Sequence, residues 1–528
     1  MDGSASTLAQ VAVKDNKLTE TGEFVTLTDR NGSPCTLKIF TTRKGERVLS
    51  AQDLWKATEL SIFDPGMGHV AVAVNDGKAV VINGDTAKRI EFTIIPPTSG
   101  VGQSVIDGRK FSDDTGLYLY DPGLRSVASK KSDICTLDGE NGILRYRGID
   151  IAHLAENYDY DQIVHLLLYG DLPDANQNLA LIEDLQSRMT LPPQVAAGIE
   201  ALFPNRTTAM PMSILASIVA ALPNYYSDTT EVTDQVQLDA AIHNLVAKIP
   251  VLGAMIHRYT MHGDMSIKEP DSKLGVAGNF LHMAGLLTGN TNVDAVLIKA
   301  INVIGVTHAE HELNASTFAV NHGVSSRPNA YAAIVSGIEA LSGKLHGGAN
   351  EEAVKQLEML EANGGEAAVA NYIDRVKRKE AKLMGFGHAV YTKYDPRAKI
   401  MQAMTHQVLK ALGKENDPLF KIALKLEQAA LNDNWFKDRN LYPNVDFYSG
   451  LMMKAMGIEP KMFTVLFAMY RTSGWSAHLK ETVLDPHQRI GRPRVLDTTP
   501  DDVNSTPPVT DISRRIRVPS GPAIGSAG

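Results

Sequence analysis

The chain has 528 residues, of which 44% are hydrophobic and 21% charged, a composition typical of globular proteins with ample material for a core. Its 52 basic and 60 acidic residues give a net charge of −8, which argues against a nucleic-acid-binding protein, because such proteins normally present a basic face. Cys35 and Cys135 are the two cysteines, too few for a disulfide framework or for a zinc site made of cysteines alone.

Neither end of the chain shows a targeting signal. Residues 1–22 contain no apolar segment and no arginine-rich amphipathic stretch, and we expect a flexible leader there. The closing residues match no retention or peroxisomal signal. No run approaches the roughly 20 apolar residues of a membrane span. We therefore expect a cytoplasmic protein with no membrane or nucleic-acid partner.

Residues 23–128 are predicted to form strands, because short β-branched runs there are separated by Gly, Asn and Asp. Within them, Phe63–Gly66 (Phe-Asp-Pro-Gly) returns as Tyr120–Gly123 (Tyr-Asp-Pro-Gly), an offset of 120 − 63 = 57 residues. We interpret this repeat as two small β modules, a degenerate one at 23–80 and a second at 81–128. The alternative is that two unrelated Asp-Pro-Gly turns occur by chance.

From residue 129 the sequence changes to long segments rich in Ala, Leu, Met, Glu and Lys, with apolar residues three and four apart, which predicts helices. Leu297, Ile301 and Ile304 form one such stripe. We therefore predict a large all-α body that extends to about residue 495. The tail, 496–528, is rich in Pro, Ser, Thr and Asp and is expected to be loose.

The first candidate functional cluster contains two histidines. The apolar stripe continues at His308 and His311, so both side chains should face the interior. A buried imidazole needs hydrogen-bond partners or a ligand, and the simpler interpretation is a pair of hydrogen-bonded core histidines. A zinc site is a rival interpretation. The histidines of zincins, however, are four residues apart, whereas these are three apart and have no evident third ligand.

A second histidine precedes a predicted helix. His346 is followed by Gly347 and Gly348, which would let the backbone approach a ligand closely. Asn350 suits the N-cap of the helix that follows. A histidine in this place could polarise a carbonyl while remaining neutral, because the positive helix end disfavours imidazolium.

A third histidine lies in a glycine-rich loop. His388 follows Gly385 and Gly387, but no strand precedes this loop, so a dinucleotide site is not expected. Arg397, nine residues further on, suits an anionic ligand.

The remaining candidates are one carboxylate and two arginines. Asp446 is either the N-cap of the following helix or a functional carboxylate. Arg471 continues a stripe that includes Phe467, and its buried charge would be costly unless an anion meets it. Arg492 could by itself belong to a solvated basic turn. The complete set lacks a Ser or Cys nucleophile and a metal cage, and it suits a polyanionic substrate, proton abstraction and neutral hydrogen-bond donors.

In this order, these motifs resemble the citrate synthase family from about Val105 to Arg494. The motifs that carry the resemblance are HAEHELNAST, HGGANE, GFGHAVYTKYDPRA, NVDFYSG, RTSGW and GRPR. The resemblance implies a mainly α, two-domain helical fold with a small N-terminal β region. The large domain would comprise 129–346 and 456–495, and the small domain 347–455. It also implies a homodimer or a hexamer of dimers.

The same resemblance implies that an acyl-CoA is condensed with oxaloacetate and water, without a metal or a cofactor. Asp446 resembles the base that removes the α-proton of the acyl-CoA. His346 resembles the donor to the thioester oxygen, and His388 the residue that polarises the oxaloacetate carbonyl. The positions that resemble ligands of the oxaloacetate carboxylates are His311, Arg397, Arg471 and, from the neighbouring subunit, Arg492.

Departures from the family bear on the acyl donor. Asn321 and Ala389 stand where bacterial members usually or often have arginine, and the β module is duplicated. Ser316–Val320 is more similar to methylcitrate synthases, and flexible methionines such as Met452 and Met469 could line a slot for an alkyl chain. We therefore favour an alkylcitrate synthase of secondary metabolism.

Three alternatives remain at this point. The methionines could be ordinary core residues, which leaves a citrate synthase of the tricarboxylic acid cycle that uses acetyl-CoA. A 2-methylcitrate synthase is the second alternative. The third belongs to another class, an inactive scaffold or regulatory paralogue. Such a protein would be expected to have lost a catalytic position, whereas all seven carried-over positions are present.

Overall fold

The computed structural model describes residues 104–115, 117–388 and 390–496, preceded by a series of strand segments. Those segments are 19–28, 34–41, 47–50, 61–63, 74–75, 78–82 and 89–98. Ala389 and the predicted tail from residue 497 onward lie outside the described residues. So does the predicted leader as far as residue 18.

The chain forms two units, and each is described by itself. The first lies within Met1–Lys131 and Arg489–Gly528, and the second is Ser132–Gln488. The second unit contains the predicted small helical domain and most of the large one. Their division from each other stays a prediction.

Short strands build the first unit, as the sequence predicted. They are β1 (Thr19–Thr28), β2 (Pro34–Thr41), β3 (Arg47–Ser50), β4 (Ser61–Phe63), β5 (Val74–Asn75), β6 (Lys78–Ile82), β7 (Arg89–Ile95), β8 (Val105–Asp107), β9 (Leu117–Tyr120) and β10 (Val127–Ala128), with one short helix, α1 (Phe111–Thr115). Since β1 begins at Thr19, the last four residues of the predicted leader belong to a strand.

The offset of 57 residues relates the strands of the two modules. It maps β1, β2, β3 and β4 onto β6, β7, β8 and β9, and β1–β2 and β6–β7 are both antiparallel pairs. This correspondence supports an internal repeat over two unrelated turns. The second copy begins at β6, which crosses the predicted boundary between residues 80 and 81.

The two copies exchange strands with each other. One sheet has the order β1-β2-β3-β9, and the other β10-β4-β8-β7-β6-β5. In the first, β9 of the second copy lies parallel to β3, with Tyr118 beside Val48. In the second, β4 of the first copy lies parallel to β8, with Ile62 beside Ile106. Each copy therefore supplies the strand that completes the other copy's sheet.

The second unit opens with strands, although helix was predicted from residue 129 onward. A three-stranded antiparallel sheet is formed by β11 (Cys135–Asp138), β12 (Ile143–Tyr146) and β13 (Ile149–Asp150). The prediction overlooked a period of two along β12, where Leu144 and Tyr146 are buried while Ile143 and Arg145 are partly exposed.

Helices make up the remainder of this unit. They are α2 (Ile151–Asn157), α3 (Tyr160–Tyr169), α4 (Ala175–Ser187), α5 (Gln194–Leu202), α6 (Pro211–Ala221), α7 (Gln235–His262), α8 (Val276–Ala284), α9 (Thr291–His308), α10 (Ala315–Val324), α11 (Ala330–Leu341), α12 (Ala349–Ala362), α13 (Val369–Lys377), α14 (Pro396–Ala411), α15 (Pro418–Asn432), α16 (Asn434–Lys437), α17 (Val445–Ala455) and α18 (Phe463–Leu484).

Two long helices, α7 and α18, run through the core. A Cβ at Gly253 of α7 would lie 2.6 Å from Sδ of Met469, and one at Gly337 of α11 would lie 3.1 Å from the Trp475 ring. Glycine at these positions lets the large side chains of α18 pack closely against neighbouring helices. This packing fixes the helix that carries Arg471.

Helix α7 qualifies the expectation that no segment could span a membrane. By length and composition alone it contains an 18-residue window that is apolar enough to do so. Of that window, 89% is buried inside the protein, where the helix packs against α8 and α18 as a core helix does.

Candidate active site

His388 is held as a neutral imidazole by its own loop. Its Nδ1 accepts hydrogen bonds from the backbone N–H groups of Val390 (3.0 Å) and Tyr391 (3.3 Å). A ring nitrogen that accepts two such bonds carries no proton, so the proton of the neutral ring is on Nε2. Burial and then the charge of Arg397 lower the pKa of His388 to about 4. His388 is therefore a neutral N–H donor at neutral pH.

His311 lies beside His388, with the ring centroids 5.1 Å apart. Its Nε2 is 3.2 Å from Oη of Tyr391, a buried residue that sequence reasoning did not single out. Burial and the charge of Arg397 hold the pKa of His311 well below its ordinary value. Two neutral imidazoles and a phenol thus meet in one place.

His308 does not join this group. Its Nδ1 donates to the carbonyl of Ile304 (2.9 Å), and burial, followed by the charge of Arg397, lowers its pKa to about 3. Among the residues that the structure describes, no three His, Cys, Asp or Glu side chains are grouped as metal ligands would be. The interpretation as a core residue therefore fits His308, whereas His311 faces the other candidate residues.

Arg397 is positioned by a buried carboxylate two residues before it. Its Nε and Nη2 donate to the two oxygens of Asp395 at 3.0 and 2.8 Å, and both side chains are almost fully buried. The same carboxylate caps α14 through the backbone N–H of Arg397 and accepts from the N–H of Val445 at the start of α17. Although burial opposes both charges, the pair raises the pKa of Arg397 and lowers that of Asp395.

Arg471 is equally buried, but its partner is a backbone carbonyl. Nε donates to the carbonyl of His308 at 2.7 Å, and the guanidinium lies 4.8 Å from the centroid of the Phe467 ring. Because this hydrogen bond engages Nε, the terminal amino groups remain available for an anion.

Helix α18, which carries Arg471, also fixes the turn that leads to His311. A Cβ at Gly474 would lie 2.2 Å from the carbonyl oxygen of Ala309, so α18 touches this turn directly. One helical turn further, His478 Nε2 is 3.0 Å from a carboxylate oxygen of Glu310, and both side chains are buried. The turn that presents His311 is therefore held by α18 along its length.

His346 contacts a second set of polar residues. Its Nε2 lies 2.9 Å from Oγ of Ser316, which also accepts a hydrogen bond from Nε1 of Trp475 (3.3 Å). Burial and then the charge of Arg471 lower the pKa of His346 to about 4, so this imidazole is also neutral. The helix terminus proposed as the cause is not needed to explain that shift.

Two expectations about the segment after His346 were wrong. A Cβ at Gly347 would lie 2.6 Å from the methyl group of Thr464, so this glycine permits packing against the protein rather than the approach of a ligand. Asn350 is not an N-cap, because α12 begins one residue before it with Gly348 at the cap. The Asn350 amide instead donates to Oγ of Ser449 at 3.0 Å and so joins α12 to α17.

Asp446 is free of a capping role, because Asn444 caps α17. The Asn444 side-chain oxygen accepts from the backbone N–H of Asp446 at 3.0 Å. Oδ1 of Asp446 is buried and has no hydrogen-bond partner among the described residues. Burial raises the pKa of this carboxyl to about 7, with Arg397 and Arg471 opposing the rise and Asp395 adding to it. A group poised in this way can take up a proton near neutral pH.

The glycine-rich loop brings His388 to the same place as Asp446. Gly385 has a φ of 77° and lies so close to Phe447 that a Cβ would be 2.8 Å from its ring. The N–H of Asn444 donates to the carbonyl of Gly385 at 3.0 Å. The loop and the first turn of α17 are therefore in direct contact.

The contacts described above connect six of the seven predicted residues within the second unit: His311, His346, His388, Arg397, Asp446 and Arg471. Arg492 belongs to the first unit, where its side chain is exposed. Sequence reasoning missed Tyr391, Asp395, Ser316 and Trp475. All four lie inside the motifs that carry the family resemblance, which is the signal that could have found them.

Comparison with known proteins identifies the family. Residues 123–494 match the family model described as citrate synthase, C-terminal domain. A citrate synthase of Corynebacterium glutamicum is 40% identical over 431 residues, which are 81% of this chain and 96% of that protein. The crystal structure of citrate synthase from Pyrobaculum aerophilum is similar with a TM-score of 0.66 and 34% identity, covering 75% of this chain and 97% of that one.

A further similar structure was solved with ligands. It is the ternary complex of carboxymethyl-coenzyme A and oxaloacetate with citrate synthase from Thermoplasma acidophilum, at 30% identity and a TM-score of 0.66. The match covers 74% of this chain and 98% of that one. The fold and the matches define a helical transferase that condenses an acyl-CoA with oxaloacetate, both of them substrates, without a cofactor. The chain belongs to the citrate synthase family.

Proposed function

We propose that the enzyme condenses acetyl-CoA with oxaloacetate and water to give citrate and CoA, with Asp446 as the base. The observation that carries this proposal is a carboxyl with a pKa of about 7 among neutral imidazoles and buried arginines. An α-proton of a thioester is weakly acidic. A base that titrates near the working pH is therefore suited to removing it, provided that a donor stabilises the enolate.

His346 is proposed as that donor. A serine hydroxyl has one proton, and Ser316 can give it either to Asn314 (2.7 Å) or to Nε2 of His346 (2.9 Å). When it goes to His346, the imidazole proton is on Nδ1 and can be donated to the thioester oxygen. The indole of Trp475 donates to the Ser316 oxygen in either state, so the destination of the hydroxyl proton alone decides the tautomer of His346.

The four proposed ligands of oxaloacetate, the other substrate, bind different groups of it. Arg397 and Arg471 suit its two carboxylates, since guanidinium groups bind carboxylates in a fixed fork. His388, with its proton on Nε2, suits the ketone oxygen, whose growing negative charge it would stabilise during attack. His311 completes the set as a further neutral hydrogen-bonding group.

Acetyl-CoA is proposed as the donor because the structure gives the methionines another role. Met452 and Met469 are buried in the core, and Sδ of Met469 packs where a Cβ of Gly253 would stand. Packing between α18 and α7 accounts for that residue without an alkyl slot. The relative that is 40% identical is itself named citrate synthase, which supports the same donor.

The test is kcat/KM for acetyl-, propionyl-, hexanoyl- and decanoyl-CoA with saturating oxaloacetate, followed by release of free CoA. We expect acetyl-CoA to give the highest value. A slot for a longer chain would contribute about 0.8 kcal/mol per buried methylene, so a preference for hexanoyl- or decanoyl-CoA would be large and would favour an alkylcitrate synthase. A propionyl-CoA optimum would indicate a 2-methylcitrate synthase.

We further propose a homodimer, or a hexamer of dimers, in which Arg492 completes the site of the neighbouring subunit. The support is the position of Arg492 in the motif GRPR and its exposed side chain. Mixing Arg492→Ala with Asp446→Asn subunits should restore activity, because one of the two sites in a mixed dimer would then be intact. Subunit exchange without recovered activity would contradict this arrangement.

A further inference from the structure

A buried carboxylate outside the reacting groups binds side chains from segments that carry site residues. Glu427 of α15 is 7% exposed. Its Oε1 accepts a hydrogen bond from Oη of Tyr394 at 2.5 Å, and Oε2 accepts from Oη of Tyr448 and Nε2 of Gln402, each at 2.6 Å. The donors come from the loop before α14, from α17 and from α14 itself.

Packing alone does not account for an acid at this position. The other buried residues around it on α15, such as Ile422, Ala423 and Leu426, are apolar and form the stripe that joins this helix to the core. An apolar residue of similar size would fill the space without the cost of burying a carboxylate. Glu427 departs from its own stripe, and what distinguishes it is the set of three donors.

Two of these donors lie next to the proposed site residues. Tyr394 immediately precedes Asp395, the residue that holds the guanidinium of Arg397. Tyr448 comes two residues after Asp446 in α17. Glu427 therefore links the loop that leads to Arg397 with the helix that carries Asp446.

A second link joins the same two segments closer to the reacting groups. The Asp395 carboxylate, which binds Arg397, also accepts from the backbone N–H of Val445 at 3.2 Å. The loop and α17 are thus connected twice. One connection is the hydrogen bond from the N–H of Val445 to Asp395, and the other runs from Tyr394 through Glu427 to Tyr448. Two links at different points fix an orientation as well as a distance, which a single hydrogen bond does not.

We propose that Glu427 is a positioning residue that sets the geometry between Arg397 and Asp446. The inference rests on the roles proposed above, in which Arg397 binds oxaloacetate and Asp446 removes the proton from the acyl-CoA. A displacement of about 1 Å between reacting groups can cost roughly a hundredfold in rate. A carboxylate far from the substrates can therefore control turnover through these contacts alone.

The first test compares three variants of α15. Glu427→Leu removes all the acceptors and is expected to lower kcat by about 10- to 100-fold. Glu427→Gln keeps the size and one acceptor oxygen and should recover most of that loss. Gln428→Leu, at the exposed neighbouring position, is the matched control and should leave kcat and both KM values unchanged.

The second test separates the two ends of the link. Tyr394→Phe should mainly raise the KM for oxaloacetate, because it loosens the loop of Arg397, whereas Tyr448→Phe should mainly lower kcat. In a Glu427→Leu background both substitutions should become nearly silent, since residues that act through one partner are not additive. A purely structural carboxylate would lower Tm without this division between KM and kcat.

The outcomes separate this inference from the proposed function. If wild-type protein does not release CoA from acetyl-CoA and oxaloacetate, the proposed function is wrong. If it does, and the two tyrosine variants leave kcat and KM unchanged, Glu427 is not a positioning residue. This conclusion holds even if Glu427→Leu fails to fold, because the tyrosine variants remove single hydroxyl groups.

Discussion

In the proposed arrangement, an oxaloacetate side and an enolate side of the site are built from different kinds of contact. The oxaloacetate side consists of His311, His388, Arg397 and Arg471, and its charged members are positioned by Asp395 and by a backbone carbonyl. The enolate side consists of His346, Ser316, Trp475 and Asp446, and its imidazole is positioned by a hydroxyl, which in turn contacts an indole.

The difference follows from the charge that each side has to meet. The two carboxylates of oxaloacetate keep their charge throughout the reaction, so permanent charges with permanent partners are appropriate. The enolate is charged only briefly, and neutral donors stabilise it without binding the ground state strongly. Asp446 belongs to the enolate side, and its unpartnered Oδ1 keeps it ready to accept a proton.

Asp446→Asn should give the largest effect and act on the enolate side alone. The amide cannot accept the α-proton, so kcat is expected to fall by about 10³-fold or more, in the upper range of losses seen for general bases. Oxaloacetate binding, measured by calorimetry, should change little. Turnover close to wild type would refute the assignment of the base.

Arg397→Lys should give the complementary defect on the oxaloacetate side. Lysine keeps the charge but loses the fork that binds both Asp395 and a carboxylate. We expect the Kd for oxaloacetate to rise by about 10- to 100-fold, as for the loss of a charged hydrogen bond. The KM for acetyl-CoA should stay near the wild-type value, and an equal rise in both constants would show that the two sides are not separable.

The pH profile should report the enolate side, because Asp446 titrates near neutrality and the histidines do not. Condensation needs the ionised carboxylate, whose pKa is raised to about 7. Activity should therefore be half-maximal near pH 7, approach its full value about one pH unit higher, and fall toward tenfold per pH unit at lower pH. The positive charge of Arg471 lowers the pKa of Asp446, so in Arg471→Gln this pKa should rise and the fall in activity should begin at a higher pH. A wild-type profile that is flat from pH 5.5 to 8 would contradict a base of this pKa.

Ser316→Ala should give the smallest effect, because it changes only the hydrogen-bond partner of His346. Without the hydroxyl, the imidazole is free to adopt the tautomer with its proton on Nε2, and we expect kcat to fall by about tenfold, less than the removal of a donor would cost. Thr317→Ala is the adjacent control. An unchanged kcat in Ser316→Ala would show that the hydroxyl does not select the tautomer.

The candidate site residues could be proposed from the sequence because the motifs are local. His388 and Asp446 could be assigned from the residues around them, and the strand character of residues 23–128 is confirmed for the segments that the structure describes. The partners of these residues could not be assigned in the same way. Ser316, His346 and Trp475 meet across intervals of 30 and 159 residues, and no periodicity connects positions so far apart.

Some errors came from choosing between neighbouring residues. Asn350 and Gly348 are both acceptable N-caps, and only the path of the chain decides that the helix starts at the glycine. Likewise, the repeat could be found from Phe63–Gly66 and Tyr120–Gly123. The pairing of β9 with β3 could not, since parallel neighbours in a sheet leave no mark in the local sequence.

The exchange of strands between the two β copies has a consequence for synthesis on the ribosome. Strand β3 begins 117 − 47 = 70 residues before its partner β9, so the first sheet cannot close while only the first copy has been translated. At about 5–20 residues per second, the nascent chain waits roughly 4–14 s with β3 unpaired on that side. During this interval the open edge of β3 can accept a strand from another nascent chain. Pairing of β3 within its own molecule therefore has to wait until the second copy has been synthesised as far as β9.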